Sequence, residues 1–246
     1  MQIKGLEMAL GVDLFDRSFR PPNLTPIGKQ ALPHVERILG SHGALENLCK
    51  RDETLTGTYK IGLIATASVR LLPGFLKKAA DLAPKAEFLF ETALSETLEA
   101  RVQSGILDAA VVSASPDVPD DLIYQEIQSE RLVFAMPKSA AGSDFGGLPF
   151  LQFNPKSGIG KLIARYSRSL HDNTDDIVLD SVEAIMECVK QQIGYTILAE
   201  PDVRRYASED IIVKPIKTGG AFRVTSLATR SSMESETRAR LHAMFC

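Results

Sequence analysis

Six hydroxyl side chains stand where an apolar run gives way to a helical pattern: Thr66 and Ser68, Thr92 and Ser95, Ser157, and Ser181. A helix start leaves free backbone N–H groups and a partial positive charge. Several such starts facing one cleft would hold a carboxylate or another small anion. Taken singly, each residue reads as an N-cap worth about 1 kcal/mol; the repetition at equivalent places is what points to a binding site. Catalytic chemistry has no comparable pattern. His34, His42, His171 and His242 accompany no GxSxG, HExxH or Walker A motif, and metal-ligand spacing is absent. Cys49, Cys188 and Cys246 are widely spaced and form no CxxC pair, which argues against a disulfide framework or a zinc site. Cys188, inside a helical stretch, reads as a small core residue. The expectation is a binding protein without metal or cofactor, not an enzyme.

The elements that would position these hydroxyls are strands alternating with helices. Apolar, β-branched runs at 59–65, 87–91, 109–113, 132–136, 150–153, 177–179, 195–198, 211–216 and 223–228 read as strands. Helical stretches at 69–82, 95–104, 158–170, 182–191 and from 233 onward fall between or after them. Such alternation predicts α/β units with parallel sheets, whose ligands bind beyond the carboxyl ends of the strands.

The first fifty residues differ. Ile3, Leu6 and Leu10 lie at helical spacing, and Gly11 suits the left-handed geometry of a helix end. A short basic loop follows, Arg17-Ser18-Phe19-Arg20-Pro21-Pro22-Asn23. Thr25 is then a good N-cap with Pro26 at the first helical position. Ala31, Val35, Ile38, His42, Leu45 and Cys49 recur at spacings of four and three, a coiled-coil-like seam. Pro33 conflicts with a straight helix there and predicts a kink or a tight first turn. This helix either lies on its own domain or meets a partner helix; its length favours the partner.

The chain has 246 residues, 44% hydrophobic and 24% charged, enough for a full core and for one large domain or two or three small ones. Its opening, MQIKGLEMAL, lacks the apolar core of a signal peptide, and no run approaches the ~18 apolar residues of a membrane span. A cytoplasmic protein without a membrane partner is expected. Residues 1–51 carry seven Lys/Arg against five Asp/Glu, net +2, whereas the remainder is net −5. A mildly basic end on an acidic body is compatible with a nucleic-acid contact confined to that end, and equally with a solvated surface.

One family fits these features together. Ile3-Lys4-Gly5-Leu6-Glu7, Leu10-Gly11-Val12, Leu14-Phe15-Asp16-Arg17, Leu24-Thr25 and Gly28 resemble the back half of the winged helix-turn-helix of LysR-type transcriptional regulators. Residues 58–65 with Leu71-Leu72-Pro73 resemble the first strand and helix of that family's regulatory domain. Leu98, Val102, Gly105, Leu107, Asp108 and Ala110 match its LxxxVxxGxLDxA stretch, and Ile193-Gly194-Tyr195-Thr196-Ile197-Leu198 its late GxGxxLLP strand. The resemblance implies an α/β fold: a two-lobed, type-2 periplasmic-binding-protein-like effector domain preceded by a partial winged helix-turn-helix and a long linker helix. It implies a partial head at 1–24, a dimerisation helix and hinge at 25–55, regulatory subdomain I at 56–129 and 230–246, and subdomain II at 130–229. Lys4, Arg17 and Arg20 become DNA-contact candidates. Thr66, Ser68, Thr92, Ser95, Ser157 and Ser181 become candidates for holding a small organic anion, and Ala31, Val35, Ile38 and Leu45 for pairing linker helices in a homodimer or homotetramer. The effector would alter DNA binding through rearrangement of that oligomer.

The chain departs from the pattern in three places. Met1 falls inside the recognition helix, so Ile3, Leu6 and Phe15 would lose apolar cover worth ~1.5–3 kcal/mol per side chain, and this end should fray or repack. Either the natural start lies upstream or the regulator is truncated, and DNA binding would be weakened to salt-sensitive phosphate contacts. Gln192 stands where the late motif has its first glycine, so that turn is expected to change; Ala199 replaces the motif's proline. The rival readings are a solute-binding protein without independent DNA binding and an enzyme on the same fold; the second lacks an acid–base pair.

Overall fold

The computed structural model describes residues 2–19, 21–48, 55–114, 119–141, 145–155, 157–167, 176–206, 208–216 and 221–246. Arg20, Cys49 and His171 lie outside them, as does the side chain of Leu45. The chain begins with α1 (Gln2–Leu10), β1 (Phe15–Asp16), β2 (Asn23–Leu24) and α2 (Pro26–Leu48). It continues through β3 (Thr56–Leu63), α3 (Ala65–Leu82), β4 (Lys85–Thr92), α4 (Ser95–Gln103), β5 (Ala109–Ser113) and the long β6 (Leu122–Pro137). Then come β7 (Leu151–Phe153), α5 (Gly158–Ser167), β8 (Ile177–Leu179), α6 (Val182–Lys190), β9 (Thr196–Ala199), α7 (Glu200–Tyr206), β10 (Ile211–Pro215), β11 (Phe222–Arg230) and α8 (Ser235–Phe245).

The head is a helix followed by a two-stranded wing. Gly11 ends α1 at φ +68°, as its position predicts. Phe15 pairs with Leu24 and Asp16 with Asn23 across β1 and β2. Thr25 caps α2, its Oγ1 accepting from the Gly28 N–H at 3.0 Å. Helix α2 carries Pro33 in its interior. On α1, Ile3, Leu6, Met8 and Leu10 are exposed, whereas Phe15 is half-buried and Leu14 is buried.

The expectation of parallel sheets holds for only part of the body. Strand β3 pairs parallel with β4 and β5, and β7 with β8. Strand β11 is antiparallel to both β5 and β6, and β6 is antiparallel to β9 and β10. Parallel neighbours need a crossover of a dozen or more residues; β11 instead returns from the far part of the chain and slots between β5 and β6 against their direction. The sixteen-residue β6 extends well beyond the apolar run at 132–136, which covers only its last third.

Apolar side chains form separate cores. Leu132, Met136, Phe150, Leu151, Ile163, Ile185, Val189 and Ile197 belong to one, with β6, β7, α5, α6 and β9 around it. Ile61, Leu63, Phe75, Val111, Leu227, Leu241 and Phe245 form another under α3 and α8, and Leu98, Val102, Leu107, Ala110 and Val112 a third under α4. Strand β5 supplies the second and third with alternate residues, which explains why all five of its positions are buried.

The turn after α6 corrects one sequence expectation. Gln192 adopts φ 61°, so the chain keeps the left-handed turn without the glycine, and Ser139 Oγ donates to Gln192 Oε1 at 3.0 Å. A side chain in that region costs about 1–2 kcal/mol, partly offset by the greater chain freedom glycine would lose. Gln192→Gly is therefore expected to raise stability by about 0.5–1 kcal/mol, read as a higher urea midpoint at unchanged slope.

Candidate functional site

The six hydroxyls do not act alike. Helix α3 begins at Ala65, four residues earlier than the pattern suggested, so Thr66 and Ser68 fall within its first turn rather than ahead of it. Ser68 Oγ donates to the Ala65 carbonyl at 2.8 Å, a bond internal to the helix. Ser181 caps α6 by accepting from the Ala184 N–H at 3.2 Å. Ser157 caps α5, accepting from the Gly160 N–H at 3.0 Å and donating to the Asn154 carbonyl at 2.7 Å. Thr92 ends β4 and is exposed. Two hydroxyls reach across the fold. Ser95 opens α4, is buried, and accepts from the Ser113 N–H at 3.2 Å. Thr66 Oγ1 accepts from Arg223 Nη1 at 3.3 Å.

Ser95 and the start of α5 come together. A Cβ placed on Gly158, the first residue of α5, would lie 2.9 Å from the Ser113 carbonyl oxygen and 3.4 Å from Ser95 Oγ. Only glycine lets α5 approach β5 and α4 this closely. An ion pair between Lys161 of α5 and Glu96 of α4 ties the same two helices. Nothing places Thr92 or Ser181 at this meeting point.

Sequence reading missed the charged cluster beside it. Arg223 of β11 is 1% exposed and stands opposite Glu130 of β6 in the antiparallel ladder. Its Nε donates to Glu130 Oε2 at 2.7 Å, and its Nη2 reaches the same oxygen. Its Nη1 lies 2.9 Å from Asp202 Oδ2 of α7. Arg70 of α3 donates to Glu130 Oε1 and approaches Asp202 Oδ1 at 3.5 Å. Gln128 Nε2 also donates to Glu130 Oε1, at 3.1 Å. Two guanidinium groups thus face two carboxylates where β6 and β11 pass between the separate cores. Burial raises the Asp202 pKa above the ordinary carboxylate value; Arg223 and Arg70 pull it down, and Glu130 pushes it up. Little in the sequence marks it: Glu130 precedes the apolar run at 132–136 and Arg223 opens the run at 223–228, so both read as strand-end charges in solvent until the partner that allows burial is seen.

At the head, Glu7 is 6% exposed, and its Oε1 accepts from the Leu14 N–H at 2.9 Å and the Phe15 N–H at 3.1 Å. Arg17 Nη2 donates to Glu7 Oε2 at 2.6 Å, so one DNA-contact candidate is held by α1 itself. Lys4 is exposed on α1. Along α2, Ala31 and Val35 are half-buried and Ile38 is 68% exposed. Among the described residues no group of His, Cys, Asp and Glu could hold a metal ion, and no helix is long and apolar enough to cross a membrane.

Residues 52–245 match the family described as the LysR substrate binding domain. The chain belongs to the LysR-type transcriptional regulators. It is 35% identical over 136 residues to a probable hydrogen peroxide-inducible genes activator of Mycobacterium xenopi, covering 55% of this chain and 71% of that protein. It is 32% identical over 140 residues to the HTH-type transcriptional regulator IlvR of Caulobacter vibrioides, covering 56% of this chain and 47% of IlvR, so the match spans about half of that relative's length. A full-length OxyR structure from Pseudomonas aeruginosa superposes with a TM-score of 0.70 at 22% identity, over 99% of this chain and 83% of that one. That likeness is one of fold, and it runs over α1, the two-stranded wing, α2 and the α/β body alike.

Proposed function

We propose that this LysR-type chain is a DNA-binding regulator controlled by a small organic anion, working as a homodimer or homotetramer. The carrying observation is the polar seam between the separate apolar cores, crossed by β6 and β11 and bordered by the starts of α3, α4 and α5. In this reading residues 1–24 form the head and 25–55 the dimerising linker. Residues 56–129 with 230–246, and 130–229, are the two lobes. Thr66, Ser95 and the Ser157 end of α5 receive the effector. The hydroxyls of Ser68 and Ser181 serve their own helices.

Helix α4 supplies a route from cleft to linker. Its first residue, Ser95, is at the seam, and nine residues span about 13 Å. Beyond its far end, a Cβ on Gly105 would lie 3.8 Å from Arg37 Cγ of α2. Arg230 braces that end by donating to the Val102 and Leu107 carbonyls at 2.8 and 2.9 Å. An effector biases such a device only by its different affinity for the open and closed lobes.

The DNA-binding test is fluorescence anisotropy of the full chain on a labelled duplex from the promoter region adjoining its own gene. Saturable binding is expected at about 50 mM salt and steep weakening at about 200 mM. Lys4→Ala should weaken binding to every sequence and lower the salt slope by about one. No binding at the lower salt would leave a solute-binding protein in place of a regulator. For assembly, Ile38→Asp is expected to weaken dimerisation by about 100-fold or more, because two symmetry-related copies each lose ~1.5–3 kcal/mol of burial. Sedimentation equilibrium reads this directly; an unchanged dimer would remove α2 from the interface.

A further inference from the structure

Two hydroxyls on the floor of the seam are left over by the protein's own packing. Ser113, the last residue of β5, stands directly opposite Thr225 of β11. The Ser113 N–H goes to Ser95, and the next amide, of Ala114, goes to the Val224 carbonyl. Ser113 and Thr225 are therefore a pair without mutual backbone bonds, the geometry that brings opposite side chains closest. Ser113 is 3% exposed and Thr225 fully buried, yet neither Ser113 Oγ nor Thr225 Oγ1 has a hydrogen-bond partner among the described residues. Buried hydroxyls are otherwise almost always partnered.

What surrounds them is rich in donors. Gln128 is Thr225's neighbour on the other side, and Arg223 lies two residues along the same face. Arg70 Nη2 is buried without a hydrogen-bond partner as well. Above Ser113 stands the first residue of the ten-residue α5, with the Gly158 Cβ position 3.3 Å from Ser113 Cβ. A helix start favours an anion. The nearby cations do not add net charge, since Arg70 and Arg223 are matched one for one by Glu130 and Asp202. The spare capacity is thus for one negative charge with two acceptor oxygens.

We propose that Ser113 and Thr225, beneath the start of α5, form the subsite that takes the carboxylate of a small monocarboxylic acid when the lobes part. The carboxylate oxygens accept from the two hydroxyls and from the amide end of α5. Phosphate and dicarboxylates are disfavoured, because a second charge meets no unmatched cation. This assignment rests on reading the seam as the effector site.

The test is calorimetric titration of the full chain with acetate, propionate and benzoate, set against acetamide, benzamide, succinate and inorganic phosphate. At least one monocarboxylate should bind, with its amide at least tenfold weaker. Ser113→Ala and Thr225→Val should each weaken that acid at least tenfold while the melting temperature of the ligand-free chain stays level or rises, since a leftover hydroxyl contributes nothing to the free fold. Equal affinity in the variants would overturn the subsite and leave the cleft reading standing. Binding of the amide as tightly as the acid, or no binding by any acid, would overturn the carboxylate assignment. The cleft reading is judged separately by Gly158→Val, whose side chain props α5 off Ser113: promoter-DNA affinity that ignores this change would sink the cleft as the control point.

Discussion

Glu130→Ala is expected to cost the regulatory domain about 3–5 kcal/mol, the loss typical when one partner of a buried ion pair is removed. Arg223 would keep Asp202 as its one carboxylate partner among the described residues, beside the neutral Thr66 hydroxyl, and Arg70 would lose its closest carboxylate. With total stabilities of about 5–15 kcal/mol, such a loss removes much of the margin. The cost comes from stranding a charge rather than from any large net gain in forming the pair, and a double variant separates the two. Glu130→Leu with Arg223→Met takes out one charge of each sign and leaves Arg70 facing Asp202. It should recover most of the stability, and urea unfolding of the single and double variants yields the coupling directly. If the double variant is as unstable as the single ones, packing around β6 and β11, not stranded charge, sets the cost.

The same cluster fixes a pH dependence. Asp202 has its folded pKa raised, so the folded state binds a proton the unfolded chain has released. The stability contributed by that proton is fully present below the ordinary aspartate pKa of about 3.9 and is lost as pH rises through the folded value. Arg223, Arg70 and Glu130 are the charged groups facing Asp202, with Gln128 and Thr66 the neutral neighbours of the network. In Arg223→Met the strongest attraction that counters burial is gone. The Asp202 pKa should climb further, and the variant should lose stability over a wider span of rising pH than the parent. A pH series of urea midpoints checks the sign.

The parts of this molecule legible in the sequence are those set by local chemistry. Gly11, Thr25 and Pro26 mark their helix ends because φ, capping and a missing N–H are decided within a few residues. The apolar runs located β5 and β9 well, since burial on both faces leaves an unbroken hydrophobic stretch, but marked only the end of β6, whose first two thirds are largely polar and partly exposed. Strand direction was not legible. Whether β11 lies parallel or antiparallel to β5 depends on where a distant segment returns, which no window of residues encodes. The hydroxyls showed the same division. Ser157 and Ser181 act as caps, as each residue's type says. That Ser95 and Thr66 bridge to Ser113 and Arg223 is a tertiary fact. The cluster of Arg70, Glu130, Asp202 and Arg223 draws on four elements, so its members carry no mutual spacing to recognise. Gln192 shows a rule overridden: the left-handed turn is imposed by the elements on either side of it, and the side chain is carried along.

Glu7→Ala is expected to undo the head while sparing the body. Its carboxylate accepts two backbone N–H groups, of Leu14 and Phe15, and holds Arg17. Hydrogen bonds to a charged acceptor contribute about 1.5–3 kcal/mol each, so the two amides alone amount to about 3–6 kcal/mol of local stability. A nine-residue helix with Ile3, Leu6 and Leu10 exposed has little else to hold it. Gly28→Val attacks the same junction from the other side. A Cβ at residue 28 would fall 2.2 Å from the Leu14 carbonyl oxygen, the atom that accepts from the Thr25 N–H, so α2 could no longer seat against the wing. The motif Leu24-Thr25 followed by Gly28 thereby acquires a physical meaning: the leucine pairs with Phe15, the threonine caps α2, and the glycine makes room for the backbone of residue 14. Hydrogen exchange should show α1, β1 and β2 losing protection in both variants, with β3, β5 and β11 unchanged. Promoter-DNA affinity should fall at least tenfold in both, while effector titrations match the parent. Retained protection in α1 after Glu7→Ala would mean that contacts other than this buried carboxylate hold the head together.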